Sequence, residues 1–199
     1  MLKIWLIRHG MTMGNRYGRY IGATDEPLCR EGREALAGMS YPTPEAVYAS
    51  PLLRCTQTAE ILFPGKPLQI IDDLSECDFG DFENKNYREL SGNPDYQAWI
   101  DSGGTLPFPG GESREAFRRR SLRGFERAVN DCIQKGRNKA ALVIHGGTIM
   151  NVMEEYASVR RSFYDWHVKN GGGYLVEAAE KDWLSGYREL HLRDSYMEG

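Results

Sequence analysis

An apolar run followed by histidine and glycine occurs twice in this chain, and this repetition constrains the fold more than any other feature. The first run, from Leu2 to Ile7, precedes Arg8-His9-Gly10, and the second, from Ala140 to Ile144, precedes His145-Gly146-Gly147. Short, bounded apolar runs are typical of buried strands. Ligands of α/β proteins bind beyond the carboxyl ends of such strands. Two parallel neighbouring strands would therefore bring both imidazoles within reach of one ligand.

A cation and an imidazole side by side at a strand end suit a phosphate group. The Arg8 guanidinium can fork onto phosphate oxygens, and a neutral His9 can attack phosphorus. Gly10 lets the backbone approach a ligand closely, and Gly146-Gly147 would let backbone amides point at an anion where a helix begins. Each site taken alone is equally compatible with an ordinary surface loop, so the decision depends on the rest of the chain.

Two further residues follow predicted strands and are candidates for the same rim. Arg54 falls in the first turn of a helix after the second strand, although an arginine on a helix is usually solvated. Glu76 follows the third strand, and a carboxylic acid there could protonate a leaving alkoxide and later deprotonate water. Other carboxylates of the same acidic loop compete with Glu76 for this role: Asp72, Asp73, Asp78, Asp81 and Glu83.

The order of predicted elements indicates an α/β fold. Strands are predicted at 2–7, 46–49, 68–71, 140–144, 174–178 and 187–192, and helices at 31–38, 52–62, 113–134 and 148–156. Ser50 is predicted to cap the second of these helices. Residues 14–18 form a turn or a single helical turn, 87–100 has weaker helical character, and 103–111 is loop-like. Alternating strands and helices predict three layers, with a mostly parallel sheet between helices and an antiparallel strand at its edge.

Length, composition and charge limit the possible classes of protein. At 199 residues with 41% hydrophobic residues, one domain with a substantial core is expected. The net charge of -3 gives no support to nucleic-acid or acidic-membrane binding, and no apolar segment is long enough to cross a bilayer. The N-terminus lacks a small-residue cleavage site, so a signal peptide is not expected. Four scattered cysteines fit reduced thiols in a cytoplasm. We expect a cytoplasmic monomer or homodimer.

Five blocks of the sequence, in order, resemble those of the histidine phosphatase superfamily, the branched group that includes cofactor-dependent phosphoglycerate mutases. The resemblance extends over most of the chain, and its N-terminal block is the longest. The blocks are Arg8-His9-Gly10 with Thr12, Asn15, Arg19, Gly22, Asp25, Pro27-Leu28 and Gly32; Ser50-Pro51-Leu52 with Arg54, Thr58 and Ala59; Glu76, Asp78-Phe79-Gly80 and Glu83; Gly110-Gly111-Glu112-Ser113; and His145-Gly146-Gly147.

This resemblance implies a phosphoglycerate mutase-like fold and phosphoryl transfer without a metal or another cofactor. His9 would accept the phosphoryl group, and Glu76 would act first as general acid and then as general base. The substrate would be a small phosphorylated metabolite. The groups implied to hold its phosphate are Arg8, Arg54, His145, Asn15, Thr12 and Gly146. Zinc binding by the histidines is the alternative, but the nearby cysteines and carboxylates lack a recognisable ligand spacing.

Residues 84–112 are predicted to form a lid-like insertion within a single 1–199 domain and to set substrate choice. This segment contains Lys85 and Arg88 but no arginine cluster of the kind with which the longer mutases grip phosphoglycerate, which favours a phosphatase over a mutase. The acidic block looks more like that of α-ribazole phosphatases, which act in cobalamin nucleotide-loop assembly, and of broad-specificity phosphatases. A mutase-type phosphoryl transfer, or a non-catalytic phosphate-binding regulatory protein on the same fold, are the alternatives.

The aromatic residues of the predicted lid have two possible roles: they could cover a ring-bearing leaving group or form the core of the lid. They are Tyr87, Tyr96, Trp99 and Phe108. Met11 and Met150 depart from the family's usual residues and are predicted to affect pocket lining or substrate choice, and Cys29 stands where threonine is common.

The remaining basic residues and histidines are predicted to have structural or surface roles. The arginines between 114 and 127 alternate with glutamates and are predicted to form a solvated helix face. Arg120 is a structural anchor by resemblance only. His167 and His191 match none of the five blocks, so we interpret both as structural or surface residues.

Overall fold

The structure, a computed structural model, describes the backbone of residues 1–198 and the side chains of residues 1–195. Six strands form one sheet: β1 (Leu2–Arg8), β2 (Ala46–Ala49), β3 (Leu68–Ile70), β4 (Lys139–Ile144), β5 (Val168–Ala178) and β6 (Leu190–Glu198). Their order is β3-β2-β4-β1-β5-β6. β3, β2, β4 and β1 are parallel, whereas β5 runs antiparallel to both β1 and β6. The predicted mostly parallel sheet with an antiparallel edge is confirmed.

Seven α-helices connect these strands within the described residues. They are α1 (Met13–Arg16), α2 (Arg30–Ala37), α3 (Leu53–Leu62), α4 (Pro94–Asp101), α5 (Arg114–Gln134), α6 (Gly146–Tyr156) and α7 (Glu180–Leu184). Short 3₁₀ turns cover Asp72–Leu74, Gly80–Phe82 and Phe163–Trp166. Over residues 1–198, none of the helices combines the length and apolar character that spanning a membrane requires.

The alternation of β1 residues between the two faces of the sheet explains the layers. Leu2, Ile4 and Leu6 belong to one buried cluster, which includes residues of α5 and α6. Trp5 and Ile7 belong to the second cluster, which includes residues of α3. Because successive side chains of a strand point to opposite faces, a run that is apolar at nearly every position can serve two helical layers at once.

The pairing of β1 with β4 determines where the two histidines emerge. Arg8 is paired with Ile144 in this parallel ladder, and the amide of His9 donates to the Ile144 carbonyl at 2.9 Å. His9 and His145 therefore follow paired positions at the carboxyl edge of the sheet. The pairing of β1 with β4 thus brings together two residues that lie 136 positions apart in the sequence.

Several predicted boundaries are wrong, each for a local reason. Ser50 does not cap α3, whose N-cap is Leu52 without a side-chain hydrogen bond. α4 begins at Pro94, not near 87, because the Asn93 side chain accepts from two amides of its first turn and proline is pre-set for that position. β5 begins at Val168, before the predicted residue 174. Three glycines in its amino-terminal half interrupt the apolar pattern by which a strand is recognised in the sequence.

Candidate active site

His9 lies at the carboxyl end of β1, and the residue is only 3% exposed. Its Nδ1 is 2.7 Å from the carbonyl oxygen of Gly10. A carbonyl can only accept, so Nδ1 carries the proton and Nε2 holds the lone pair. Burial, reinforced by the charges of Arg54 and Arg8, holds the pKa of His9 well below its usual value. The imidazole is therefore neutral near pH 7, which is the form that can act as a nucleophile.

Gly10 has a packing role in addition to its turn. A Cβ at this position would lie 2.6 Å from Cδ1 of Leu36 in α2, so a side chain here would require the Leu36 side chain or the loop to shift. The Gly10 amide donates to the Thr58 hydroxyl at 2.9 Å, and this hydroxyl donates to the Arg54 carbonyl at 2.6 Å. These contacts fix the loop that carries His9 against α3.

His145 is fully buried beside His9, with the two ring centroids 5.2 Å apart. Its Nε2 is 2.8 Å from the hydroxyl of Ser50 and 3.5 Å from the Cys55 sulfur. Burial, followed by the charge of Arg54, lowers the pKa of His145 well below its usual value. Ser50 thus orients the second imidazole, because a buried imidazole needs a hydrogen-bond partner. The same hydroxyl accepts from the amide of Leu52, the N-cap residue of α3, at 3.4 Å.

Arg54 is completely buried, which contradicts the alternative of a solvated surface arginine. Its Nη1 donates to the Thr24 carbonyl and its Nη2 to the Gly22 carbonyl, each at 2.7 Å. In the described part of the chain, neither Arg54 nor Arg8 forms an ion pair with a carboxylate. Both charges lower the pKa of His9, so the pocket floor is electropositive and suited to an anion.

Glu76 lines the same cavity as Arg8 and His9. Its Oε1 accepts from the Cys77 amide and its Oε2 from the Gly147 amide, both at 3.0 Å. Burial raises the pKa of Glu76, although these two hydrogen bonds and the charges of Arg54 and Arg8 act in the opposite direction. A carboxyl group with a raised pKa retains its proton closer to neutral pH, as a general acid requires.

The competing carboxylates of the acidic loop lie outside the cavity or have structural partners. Glu83 accepts from the amides of Gly22, Ala23, Thr24 and Phe79 and so joins two loops. Asp73 accepts a forked pair of hydrogen bonds from Arg123. Among the described residues, Glu76 is the only carboxylate that lines the cavity.

Arg120 holds the loop that carries Glu76. It donates to both carboxylate oxygens of Glu112, at 3.0 and 2.7 Å, and to the carbonyls of Asp73, Ser75 and Glu76 at 3.1, 2.8 and 3.1 Å. The guanidinium therefore fixes the acidic loop to α5. The family resemblance implied such an anchoring role for Arg120.

The cavity has a volume of about 360 Å³ and an aromatic wall above the polar floor. Trp99, Gly104 and Phe108 of the predicted lid line it, as do Phe117, Phe163 and Tyr164. Trp99 also stacks on Tyr96 with an interplanar angle of 16°. Trp99 and Phe108 thus pack against neighbouring rings and also line the cavity, whereas Tyr87 is 61% exposed and does not line it. That they cover a ring-bearing leaving group stays a prediction.

Some of the other predicted phosphate-binding residues line the cavity, and others are buried and do not line it. Asn15 and Gly146 line the cavity. Thr12 is fully buried as the N-cap of α1, where its hydroxyl accepts from the Asn15 amide. Arg54 and His145 lie behind the cavity lining, and their contact with a bound phosphate stays a prediction, as does that of Thr12.

Three expectations about neighbouring residues were incomplete or wrong. Arg114, assigned to a solvated face, lines the cavity with its guanidinium 5.1 Å from the centre of the Phe163 ring. His167, interpreted as structural or on the surface, also lines it, and its Nε2 is 3.3 Å from Nη1 of Arg8. Met150 lines the cavity, but Met11 lies in a separate surface depression beside α2.

Known proteins resemble this chain in sequence and in structure. The model of the histidine phosphatase superfamily (branch 1) matches residues 4–187. The adenosylcobalamin/α-ribazole phosphatase of Salmonella typhimurium is 28% identical over 190 residues, covering 90% of this chain and 92% of that protein. A 2,3-bisphosphoglycerate-dependent phosphoglycerate mutase of Gloeobacter violaceus is 30% identical over 167 residues, covering 78% and 75%. The crystal structure of the α-ribazole phosphatase from Shigella flexneri superposes with a TM-score of 0.83 at 25% identity, covering 100% of this chain and 96% of that chain.

Proposed function

This chain belongs to the histidine phosphatase superfamily and is a phosphatase, and we propose that it hydrolyses small phosphomonoesters through a phosphohistidine on His9. The observation that carries this proposal is the hydrogen bonding and charge environment of His9. Its Nδ1–H donates to the Gly10 carbonyl, and the nearby charges of Arg54 and Arg8 lower the pKa of His9. This arrangement supports a neutral nucleophile with its lone pair on Nε2, next to groups that attract a phosphate.

The proposed reaction has two steps. In the first, Nε2 of His9 attacks phosphorus, the bond from phosphorus to the ester oxygen breaks, and the departing alkoxide takes the proton of Glu76. In the second, the Glu76 carboxylate takes a proton from water as its oxygen attacks phosphorus and the N–P bond breaks. Inorganic phosphate leaves, and both residues return to their starting forms. The arginines stabilise the charge on the equatorial oxygens throughout.

The lid supports hydrolysis over a mutase-type transfer. Arg88 lies against the ring of exposed Tyr87, and the Lys85 ammonium donates to the Asp81 carbonyl, so neither cation lines the cavity. Residues 84–112 therefore supply no cation to the cavity, in contrast to the arginine cluster of the mutases, although Arg19 and Arg114 from other segments line it. The presence of both His9 and Glu76 likewise supports an enzyme over a non-catalytic phosphate-binding protein.

The aromatic wall favours a leaving group that carries a ring. Phe79, Trp99 and Phe108 lie within one group of neighbouring rings that also borders the cavity. Flat apolar rings bury well against such side chains. The relatives named as α-ribazole phosphatases act on a phosphate of this kind, and we propose α-ribazole phosphate as the substrate to test first.

Turnover and a trapped intermediate test this proposal together. We expect the purified protein to release nitrophenol from 4-nitrophenyl phosphate in the presence of EDTA. Rapid quenching under alkaline conditions should trap an acid-labile phosphoenzyme, and mass spectrometry should assign the phosphate to the peptide that contains His9. Turnover without that intermediate would contradict the two-step route, and absence of turnover from folded protein would support the non-catalytic alternative.

Replacing Trp99 by leucine should reduce the preference for ring-bearing substrates. An aromatic contact contributes roughly 0.5–1.5 kcal/mol beyond burial, so KM for α-ribazole phosphate should rise up to about tenfold. KM for glycerol phosphate, which offers no ring, should change little. Tyr87→Leu is the matched control, because Tyr87 belongs to the same lid but does not line the cavity. An equal change for both substrates would show that Trp99 acts only on lid packing.

A further inference from the structure

Asn170 in β5 contacts the loop that carries His9, and the reaction proposed above gives it no role. Its side-chain Nδ2 lies 3.1 Å from the His9 carbonyl, 3.4 Å from the Gly10 carbonyl and 3.1 Å from Oδ1 of Asn15. The next residue of β5, Gly171, donates its amide to the His9 carbonyl at 3.2 Å. The beginning of β5 therefore holds both ends of the segment from His9 to Asn15.

The orientation of the two amide side chains follows from which partners can only accept or only donate. Backbone carbonyls only accept, so Asn170 must present its NH₂ group to His9 and Gly10. Asn15 must then meet it with Oδ1, and this oxygen also accepts from the Thr12 amide at 3.3 Å. A flip of either side chain would set acceptor against acceptor or donor against donor. Because Oδ1 of Asn15 faces Asn170 and Thr12, the NH₂ group of Asn15 takes no part in these contacts.

This orientation matters because Asn15 lines the phosphate cavity. With its oxygen held by Asn170 and Thr12, Asn15 can offer its NH₂ group, a hydrogen-bond donor, to a phosphate oxygen. The reverse orientation would bring a carbonyl oxygen toward an anion and repel it. Asn170 also contacts the Gly10 carbonyl, the same oxygen that accepts from Nδ1 of His9 at 2.7 Å.

We propose that Asn170 is a positioning residue that prepares the loop for phosphoryl transfer in two ways. It turns the donor end of Asn15 toward the bound phosphate, and it holds the Gly10 carbonyl where it keeps the His9 proton on Nδ1. The proposal rests on the proposed function, since it assigns these two side chains to phosphate binding and nucleophilic attack. Asn170 itself touches neither the substrate nor the reacting atoms.

Asn170→Asp and Asn170→Ala test this role. The aspartate keeps the size of the side chain but places an oxygen opposite three acceptors, and the alanine removes the contacts. Because a misplaced reacting group can cost about 100-fold, we expect kcat/KM to fall roughly 10- to 100-fold in both variants. Lys169→Ala, an exposed neighbour in β5, is the control and should keep wild-type activity. Asn170→Ala also serves where the aspartate variant fails to fold.

Two further measurements separate positioning from general stability. Nitrogen-15 NMR of the imidazoles in the resting protein should show His9 protonated on Nδ1 in the wild type and a mixture of tautomers in Asn170→Ala. Inorganic phosphate should inhibit that variant more weakly than wild type, and this difference should disappear when both are compared in an Asn15→Ala background. Loss of thermal stability alone would produce neither result.

The outcomes distinguish this inference from the proposed function. Unchanged kcat/KM and an unchanged His9 spectrum, in an enzyme that forms the phosphohistidine, would overturn the positioning role and leave the reaction intact. If the wild type forms no phosphohistidine, the proposed reaction fails. The His9 spectrum needs no substrate and still decides whether Asn170 controls the tautomer.

Discussion

Replacing His9 by alanine is expected to lower kcat for 4-nitrophenyl phosphate on the order of 10⁴- to 10⁶-fold, the range found when an enzyme loses its nucleophile. Without the imidazole, phosphorus has no protein atom to attack it, and only water held near the arginines can react. The phosphoenzyme should disappear together with turnover. Binding of inorganic phosphate should persist, because Arg8 and Arg54 remain, and isothermal calorimetry can measure it.

His191→Ala is the matched control for this experiment. His191 is partly exposed, its Nε2 lies 3.7 Å from a carboxylate oxygen of Glu189, and it does not line the cavity, so its loss should leave kcat unchanged. Thermal unfolding of the His9 variant should confirm that the sheet is intact. A His9→Ala protein that is folded and retains more than about a tenth of the activity would remove His9 from the role of nucleophile.

The fold was predictable because its signals are local. Each apolar run of four or more residues became a strand, and the alternation with helices fixed the parallel sheet. Whether β1 and β4 are neighbours was left open by the sequence, and the observed pairing is what brings His9 and His145 together. Ser50 illustrates the limit: a serine before proline is typical of a helix cap, but α3 begins only at Leu53, and the Ser50 hydroxyl lies 2.8 Å from Nε2 of His145.

The residues missed by sequence reasoning share a different property: their roles depend on contacts across the fold. Asn170 lies among glycines in a strand without a motif, and only the β1–β5 pairing brings it to the His9 loop. Arg114 was assigned to a solvated helix face from the charge pattern around it, and His167 to a structural or surface role because it matches none of the five blocks, yet both line the cavity. A weak sequence signal existed for Arg114, which directly follows the block that ends at Ser113.

Replacing Glu76 by glutamine is expected to slow hydrolysis in a manner that depends on the leaving group. Loss of a general acid costs about 10²- to 10⁴-fold where the departing oxygen needs a proton, as with an alkyl phosphate. The loss should be much smaller for 4-nitrophenyl phosphate, because nitrophenolate departs without protonation. The glutamine has one side-chain oxygen, so only one of the amides of Cys77 and Gly147 keeps its acceptor. We therefore expect the fold to be retained, with the free energy of unfolding lowered by roughly 1–3 kcal/mol.

The pH dependence provides a second readout with a definite sign. Burial raises the pKa of Glu76, so its acidic form persists to higher pH than that of an ordinary glutamate. For the wild type, kcat/KM for the alkyl phosphate should fall as the pH rises through this raised pKa, and this limb should be absent from the Glu76→Gln profile. Asp81→Asn, on the exposed side of the same loop, should reproduce the wild-type profile. If Glu76→Gln slows both substrates equally and keeps the limb, the proton donor must be another group, and Asp78 would be the next carboxylate to replace.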